Sequence, residues 1–373
     1  MNVDMMMDTA SILAEEDVQI IKDYQAASIT HKSLVPEQLE LVYNRRWFNI
    51  WVPKACGGQG YSLPEGLRLL EQLAYVDGSF SWTITLCSGA NMFAGFIDLD
   101  LAKEVFSQRD VCLGGSGRIS GKAVWDGERY TITGQWPYAT GAPHLSHFTL
   151  NAFVYHGEMQ QFDADGNPVF RSFFVPKDDV LIHYDWDTFG LESTASHSFS
   201  LMGYTIDEKY SFQLDTSRRV LDDPLYRIPF RPFADVTLLV NYLGMYRRFL
   251  DLSQKYFFEK SKDPVWEEKY SRARFALLDK YQQQLELDQA KINKLVENIW
   301  KEAVRDSLAE NHPLLMDLHH SARTIVKQIR EAVVDVFPLL GIRAAQRHEE
   351  LNIVFRNLYT ATQHSLLNIP VEE

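Results

Sequence analysis

The residues that most invite a chemical reading lie between Asp126 and Gly141 of this 373-residue chain. Asp126-Gly127 is a tight-hairpin signal, and Tyr130 and Ile132 alternate with Arg129, Thr131 and Thr133 at the period of a half-buried strand. Trp136, Tyr138, Ala139 and Thr140 follow. An aromatic face can stack on a planar π-system, and a hydroxyl can meet its polar edge. Without further context, Tyr138 as a core residue and Thr140 as a turn residue account for the same letters.

Other sets carry less. His144-x-x-His147 and His319-His320 lack the i, i+4 spacing of an H-E-x-x-H zinc helix and a third ligand, so no metal site is expected. Cys56, Cys87 and Cys112 stand far apart without a C-x-x-C pair. That suits buried free thiols in a reducing compartment and argues against a disulfide framework or a cysteine zinc site. Gly114, Gly115 and Gly117 suggest a phosphate cradle, but no helix opens after them and the last glycine of G-x-G-x-x-G is missing. Ser116, Ser193 and Ser196 lack the G-x-S-x-G turn of a serine hydrolase.

Composition narrows the classes. Hydrophobic residues at 46% and charged residues at 23% suit a soluble globular protein. The net charge of −13 argues against nucleic acid, which would need a basic surface. No run of about 18 apolar residues occurs, so no membrane span is expected. Met1 to Ala10 carries two aspartates and no basic residue, unlike a secretory or mitochondrial presequence. A cytoplasmic location is the expectation.

The elements that must position these residues come in three blocks. Residues 1–110 read as a helical domain: Ser62 with Glu65 forms a capping box, Leu63, Leu67, Leu70 and Ala74 share one face, and Asp77-Gly78 stops the helix. Phe80 to Ile97 reads as a second, largely buried helix. Residues 111–222 read as a β domain, with the runs His147 to Tyr155 and Val169 to Val175 as arms of a hairpin. Pro224, Pro229 and Pro232 mark a linker into a helical block, 223–373. There Glu267 to Arg305 has no proline or glycine and as one helix would span about 60 Å. Further helices are expected from Pro313 to Val336 and from Glu349 to Leu367, forming a bundle.

Four segments in this order resemble the acyl-CoA dehydrogenase superfamily. Val52-Pro53, Gly57-Gly58-Gln59-Gly60, Glu71-Gln72-Leu73-Ala74 and Asp77-Gly78-Ser79 resemble its "P-x-x-x-G-G-x-G … E-x-L-A-x-x-D-x-S" pattern. Ala123 through Thr140 resembles its central strand and loop. Gly190-Leu191-Glu192-Ser193-Thr194-Ala195-Ser196 is similar to "G-L-x-x-T-x-S", and Arg356-Asn357 with His364 to the "R-D-x-x-x-x-x-x-H" ending of one branch. That branch is the flavin-dependent monooxygenases fed with reduced flavin by a separate reductase. Leu113-Gly114-Gly115-Ser116-Gly117 is closer to their shortened loop than to the dehydrogenases' loop.

The resemblance implies a mainly α fold with a β insert: an N-terminal helical domain, a middle β-barrel and a C-terminal four-helix bundle, assembled as a homotetramer. It implies FAD, or FMN, held by Trp136, Tyr138, Ala139 and Thr140, although Trp136 suits packing as well. Lys260 stands where many dehydrogenases place an arginine for the FAD pyrophosphate, and Gly341 where a glycine pair meets the adenine across a subunit interface. Ser365 occupies the usual place of the catalytic glutamate, and a serine cannot act as that base unaided. His364, an imidazole with an ordinary pKa near 6.5, becomes the catalytic candidate. The expected chemistry is therefore reduced-flavin monooxygenation of a small organic or acyl substrate. Acyl-CoA dehydrogenation with a base elsewhere, or a homologue that has lost catalysis, are the alternatives.

Overall fold

The structure is a computed structural model and describes residues 12–368. The presequence reading of Met1 to Ala10 falls outside them. Six helices come first: α1 (Glu15–Asp23), α2 (Gln25–His31), α3 (Pro36–Arg45), α4 (Leu63–Val76), α5 (Gly78–Asn91) and α6 (Leu99–Phe106). The capping box forms, with Glu65 accepting from the Ser62 backbone N–H at 2.8 Å. Asp77 closes α4 and caps α5, accepting from the Phe80 N–H at 3.0 Å. Helix α5 ends at Asn91, and a 3-10 turn over Met92–Gly95 takes up the rest of the expected helix.

The strands are β1 (Leu113–Trp125), β2 (Arg129–Ala139), β3 (His147–His156), β4 (Met159–Gln160), β5 (Phe170–Pro176), β6 (Leu181–Ile182), β7 (His197–Asp207) and β8 (Ser211–Phe212). They form one sheet in the order β6-β7-β2-β1-β3-β5-β8, with β4 beside β3. Among the described residues this path does not close, because the two-residue strands β6 and β8 are its edges. The expected barrel is thus an open sheet. Its interior is aromatic: Trp136, Phe148, Phe173 and Phe199 are all fully buried.

The Asp126-Gly127 hairpin joins β1 and β2, with the Asp126 carboxylate accepting from the Glu128 and Arg129 N–H groups. The β3–β5 pair matches the expected hairpin arms. Residues Leu113 to Gly117, by contrast, are not a loop but the start of β1, running parallel to β3. The glycines allow the close approach: a Cβ on Gly115 would lie 1.8 Å from the Thr149 carbonyl oxygen.

The last block contains α7 (Phe230–Lys260), α8 (Pro264–Trp266, one turn), α9 (Arg272–Val304), α10 (Pro313–Val336) and α11 (Glu350–Ala361). Pro232 sits in the first turn of α7, where a missing N–H costs nothing. The expected 39-residue helix is interrupted by a π turn over Glu267–Ser271, and the last helix stops at Ala361 rather than Leu367. Helix α7 lies at the centre, packed against α4, α5, α9, α10 and α11. No helix among the described residues is long and apolar enough to cross a membrane.

Candidate functional site

The pairing of β2 with β7 is irregular between Trp136 and Ala139, and Tyr138 sits in the irregularity with φ of +68°. A left-handed backbone costs a residue with a Cβ about 1–2 kcal/mol. The same twist turns the Tyr138 ring outward, 67% exposed and edge-on to Trp186 with centroids 6.3 Å apart. An exposed aromatic on a strained backbone is a signature of ligand sites more than of cores. Trp136 points the other way. Its ring is fully buried on Phe199 and its Nε1 donates to the Asn151 carbonyl at 2.8 Å. The packing reading of Trp136 therefore fits and direct ligand contact does not. Ala139 is likewise buried.

Thr140 begins a chain of hydroxyls. Its Oγ1 lies 2.9 Å from Ser196 Oγ, which lies 2.8 Å from Thr194 Oγ1, and Thr194 donates to the Leu191 carbonyl at 2.9 Å. Each hydroxyl has one proton to give. The final carbonyl can only accept, so the direction is set: Thr140 gives to Ser196, Ser196 to Thr194. Thr140, itself buried, is left with lone pairs that accept from none of these three hydroxyls. Backbone bonds from Gly141 N–H to Thr194 O (2.8 Å) and Ala142 N–H to Ala195 O (3.3 Å) lock the two loops together. From sequence, Thr194 and Ser196 entered only as parts of the T-x-S motif and, for Ser196, as a rejected nucleophile, not as partners of Thr140.

Three of the four sequence segments meet at one staple. Asn357 Oδ1 accepts from the Leu191 N–H (2.7 Å) and the Ser79 hydroxyl (3.3 Å). Buried Arg356 donates to Glu192 (2.6 Å), to the Phe189 carbonyl (2.8 Å) and to Asn352 (2.8 Å). Gly190 passes so close that a Cβ would lie 2.1 Å from the Arg356 carbonyl oxygen. The conspicuous Arg-Asn pair thus positions the loop carrying Thr194 and Ser196. Asn357 serves through its acceptor oxygen, a role that an aspartate would share.

His364 follows α11 and packs edge-on against Trp82 of α5, with centroids 5.8 Å apart. Tyr242 of α7 contacts Trp82 and donates to the Ala361 carbonyl at 2.8 Å. Burial lowers the His364 pKa to about 4, so the ring is neutral. Its Nδ1 accepts a long bond from the Leu366 N–H (3.4 Å), which leaves the proton on Nε2. On the same helix Cys87, about 7.5 Å of rise beyond Trp82, donates to the Thr140 carbonyl at 3.6 Å. Helix α5 is therefore the common platform of His364 and the Thr140 loop. It is buried except at Leu86 and Gly89, and a Cβ added at Gly89 would meet nothing within 4 Å.

Asp235, whose charge is felt at Tyr242, is fully buried with both oxygens engaged, by Arg231 (3.2 Å) and His319 (2.6 Å). His319 thus has a carboxylate partner. Lys260 lies at the far end of α7, 18 residues past Tyr242 and about 27 Å along the helix. Its ammonium sits over the Tyr256 ring (5.6 Å), and Tyr256 in turn feels Arg343, beside Gly341. Lys260 and Gly341 share one end of the bundle, remote from Thr140 in the same chain. The cysteines are all buried and free. Chain spacing did not disclose that Cys87 and Cys112 converge with His144.

Tyr138 and Trp186 offer aromatic surface and Thr140 an acceptor. Such a pair fits a planar heteroaromatic ring with an N–H at its edge. Comparison with protein-family models gives no match. Indole-3-acetate monooxygenase from Pseudomonas putida is 26% identical over 202 residues, 54% of this chain and 49% of that enzyme. Here the chain spans about half the length of the relative it matches. The indole-3-acetate monooxygenase of Acinetobacter baumannii is 23% identical over 85% of this chain and 79% of its own. The oxygenase component of p-hydroxyphenylacetate 3-hydroxylase from Acinetobacter baumannii is 21% identical over 95% and 84%. Among solved structures, XiaF from a Streptomyces species in complex with FADH2 and glycerol superposes with a TM-score of 0.80 at 21% identity, covering 95% of this chain and 91% of that one. The chain has the fold of the flavin monooxygenases. These relatives are named as monooxygenases or as an oxygenase component.

Proposed function

We propose that this chain is the oxygenase component of a two-component flavin-dependent monooxygenase acting on a small aromatic substrate. The observation that carries the reading is the exposed, left-handed Tyr138 beside the directed Thr140–Ser196–Thr194 hydroxyl chain. Tyr138 and Trp186 would lie against the flavin ring, and Thr140 would accept from an N–H at its polar edge. Reduced flavin, when bound, supplies the two electrons that activate molecular oxygen. One oxygen atom enters the substrate and the other leaves as water.

The chain's own part is to place and protect. Leu86, Gly89 and Trp82 on α5 would flank the substrate and exclude water. His364 would hold its proton at Nε2 toward a substrate oxygen. The aromatic class follows from the relatives, named for indole-3-acetate and p-hydroxyphenylacetate. A dehydrogenase would need a free carboxylate, yet Ser365 stands at the usual place and Asp235 is doubly engaged. The inactive-homologue alternative leaned partly on Asn357, which keeps the acceptor that its position needs.

FAD, or FMN, would arrive reduced from a separate reductase, consistent with the relative that is itself an oxygenase component. Lys260 and Gly341 would reach a flavin only in a neighbouring subunit, which the homotetramer provides. The test is turnover with NADH, a flavin reductase and isotopically labelled oxygen over a panel of aromatic acids, phenols and indoles. Labelled hydroxylated product, lost without flavin, supports the proposal. Flavin bleaching by acyl-CoAs without oxygen would replace it with the dehydrogenase.

A further inference from the structure

Directly behind the Thr140 loop lies a constellation that the proposed reaction does not use. Cys87 on α5, Cys112 just before β1 and His144 in the turn after Gly141 offer two sulfurs and an imidazole nitrogen, all within 4.8 Å of one another. Both ring nitrogens of His144 are shielded from solvent and have no hydrogen-bond partner among the described residues. Leaving one buried polar group unmade costs about 1–3 kcal/mol, and native interiors rarely do so twice in one ring. Phe48 stacks on the imidazole, with centroids 5.7 Å apart and planes 12° from parallel, so the ring is held in place. Burial drives the His144 pKa down to about 3, which keeps the imidazole neutral and its lone pair available.

We propose that Cys87, Cys112 and His144 form a binding site for one thiophilic d10 metal ion, Zn2+ or Cu+. Metal–sulfur bonds near 2.3 Å and metal–nitrogen bonds near 2.0 Å would set the donors about 3.5–4 Å apart. Reaching that shell from the present spread takes a closure of less than about 1 Å. Thiolate and imidazole donors select soft and borderline ions, and the absence of a carboxylate from the set disfavours Mg2+ and Ca2+.

Charge points the same way. Two thiolates and a neutral ring make a Zn2+ centre neutral and a Cu+ centre singly negative. Lys177, whose ammonium is bonded to the Pro143 carbonyl and felt at His144, is compatible with either. It would oppose a site made of neutral donors alone. Tyr43, the other titratable group beside the two cysteines, has its pKa raised by burial and stays a neutral phenol. Binding would release one proton from each thiol. Cys87 would give up its bond to the Thr140 carbonyl on losing that proton, and the ion itself would tie α5, the entry to β1 and the turn carrying His144 into one unit.

The test needs no flavin and stands apart from the monooxygenase reading. The full chain, reduced and free of flavin, is titrated with Co2+ as a spectroscopic substitute for Zn2+ and, without oxygen, with Cu+. At least one of the two should bind at one equivalent with a sulfur-to-metal charge-transfer band, and Zn2+ or Cu+ should raise the thermal midpoint of the wild-type protein. Losing an outer-shell partner alone costs about 10–100-fold in metal affinity. Cys112→Ser and His144→Phe should each weaken binding by at least ~10-fold, while Cys56→Ser leaves it unchanged. Absence of the band with both ions in the wild type would overturn the proposal. So would a band that Cys112→Ser and His144→Phe leave intact.

Discussion

At the residue scale, Tyr138 is where conformation and binding separate. Its left-handed backbone costs about 1–2 kcal/mol, which glycine would not incur, while glycine adds about 0.5–1 kcal/mol of chain entropy to the unfolded state. Tyr138→Gly should therefore leave thermal stability within about 1 kcal/mol of wild type and still weaken flavin binding. Undiminished affinity in a fluorescence titration would remove the ring from the cofactor site. His364 makes a second prediction. An unfolded histidine titrates near 6.5, whereas burial holds folded His364 at about 4. The unfolded chain then takes up a proton that the folded chain refuses, so stability is full above pH 6.5 and declines as pH falls, the His364 share ending near 4. Burial of His144 extends the same decline lower, toward about 3. His364→Gln should flatten the denaturation profile between pH 6.5 and 4 by its share. An unchanged acid limb would contradict the burial assigned to the ring.

At the element scale, the decisive joint is the staple of α11 on the 189–196 loop. Removing one partner of a buried ion pair leaves the other charge stranded, typically at about 3–5 kcal/mol. Glu192 keeps Arg347 at 2.9 Å, so Arg356→Ala should cost less than that, about 1.5–3 kcal/mol in denaturant unfolding, as the Phe189 carbonyl and Asn352 lose their donor. A loss below about 1 kcal/mol would mean the pair is a surface bridge in effect. This joint also marks the limit of what the sequence discloses. Helix caps, the Asp126-Gly127 hairpin and the α10 span are local and could be read from neighbouring letters. The Arg356–Glu192 contact joins residues 164 apart, and the meeting of Cys87, Cys112 and His144 depends on how α5 docks on β1. Spacing along the chain cannot register such long-range closure, so the meeting of the three side chains was not legible in it. Leu113 to Gly117 misled for a related reason: glycines read as loop until a partner strand is known to press on them.

At the scale of the whole molecule, the site proposed here spans more than one subunit. Lys260 ends α7, 18 residues past Tyr242, and Gly341 shares that end of the bundle, so on this proposal their service to the cofactor would be rendered to a neighbour. Losing one charge-assisted bond costs about 1.5–3 kcal/mol. Lys260→Ala should then weaken flavin binding about tenfold or more while the sedimentation coefficient stays that of the wild type. A monomeric wild-type protein that binds flavin at full strength would overturn the shared-site arrangement. The claim beneath all of this is that the Tyr138–Thr140 loop receives reduced flavin. The most direct measurement is an anaerobic equilibrium titration of the purified chain with FADH2 and FMNH2, run beside Thr140→Val. The account predicts saturable binding of at least one reduced flavin, weakened in Thr140→Val by loss of the hydroxyl acceptor. Failure of the wild-type chain to bind either flavin, or equal binding by the variant, would contradict it.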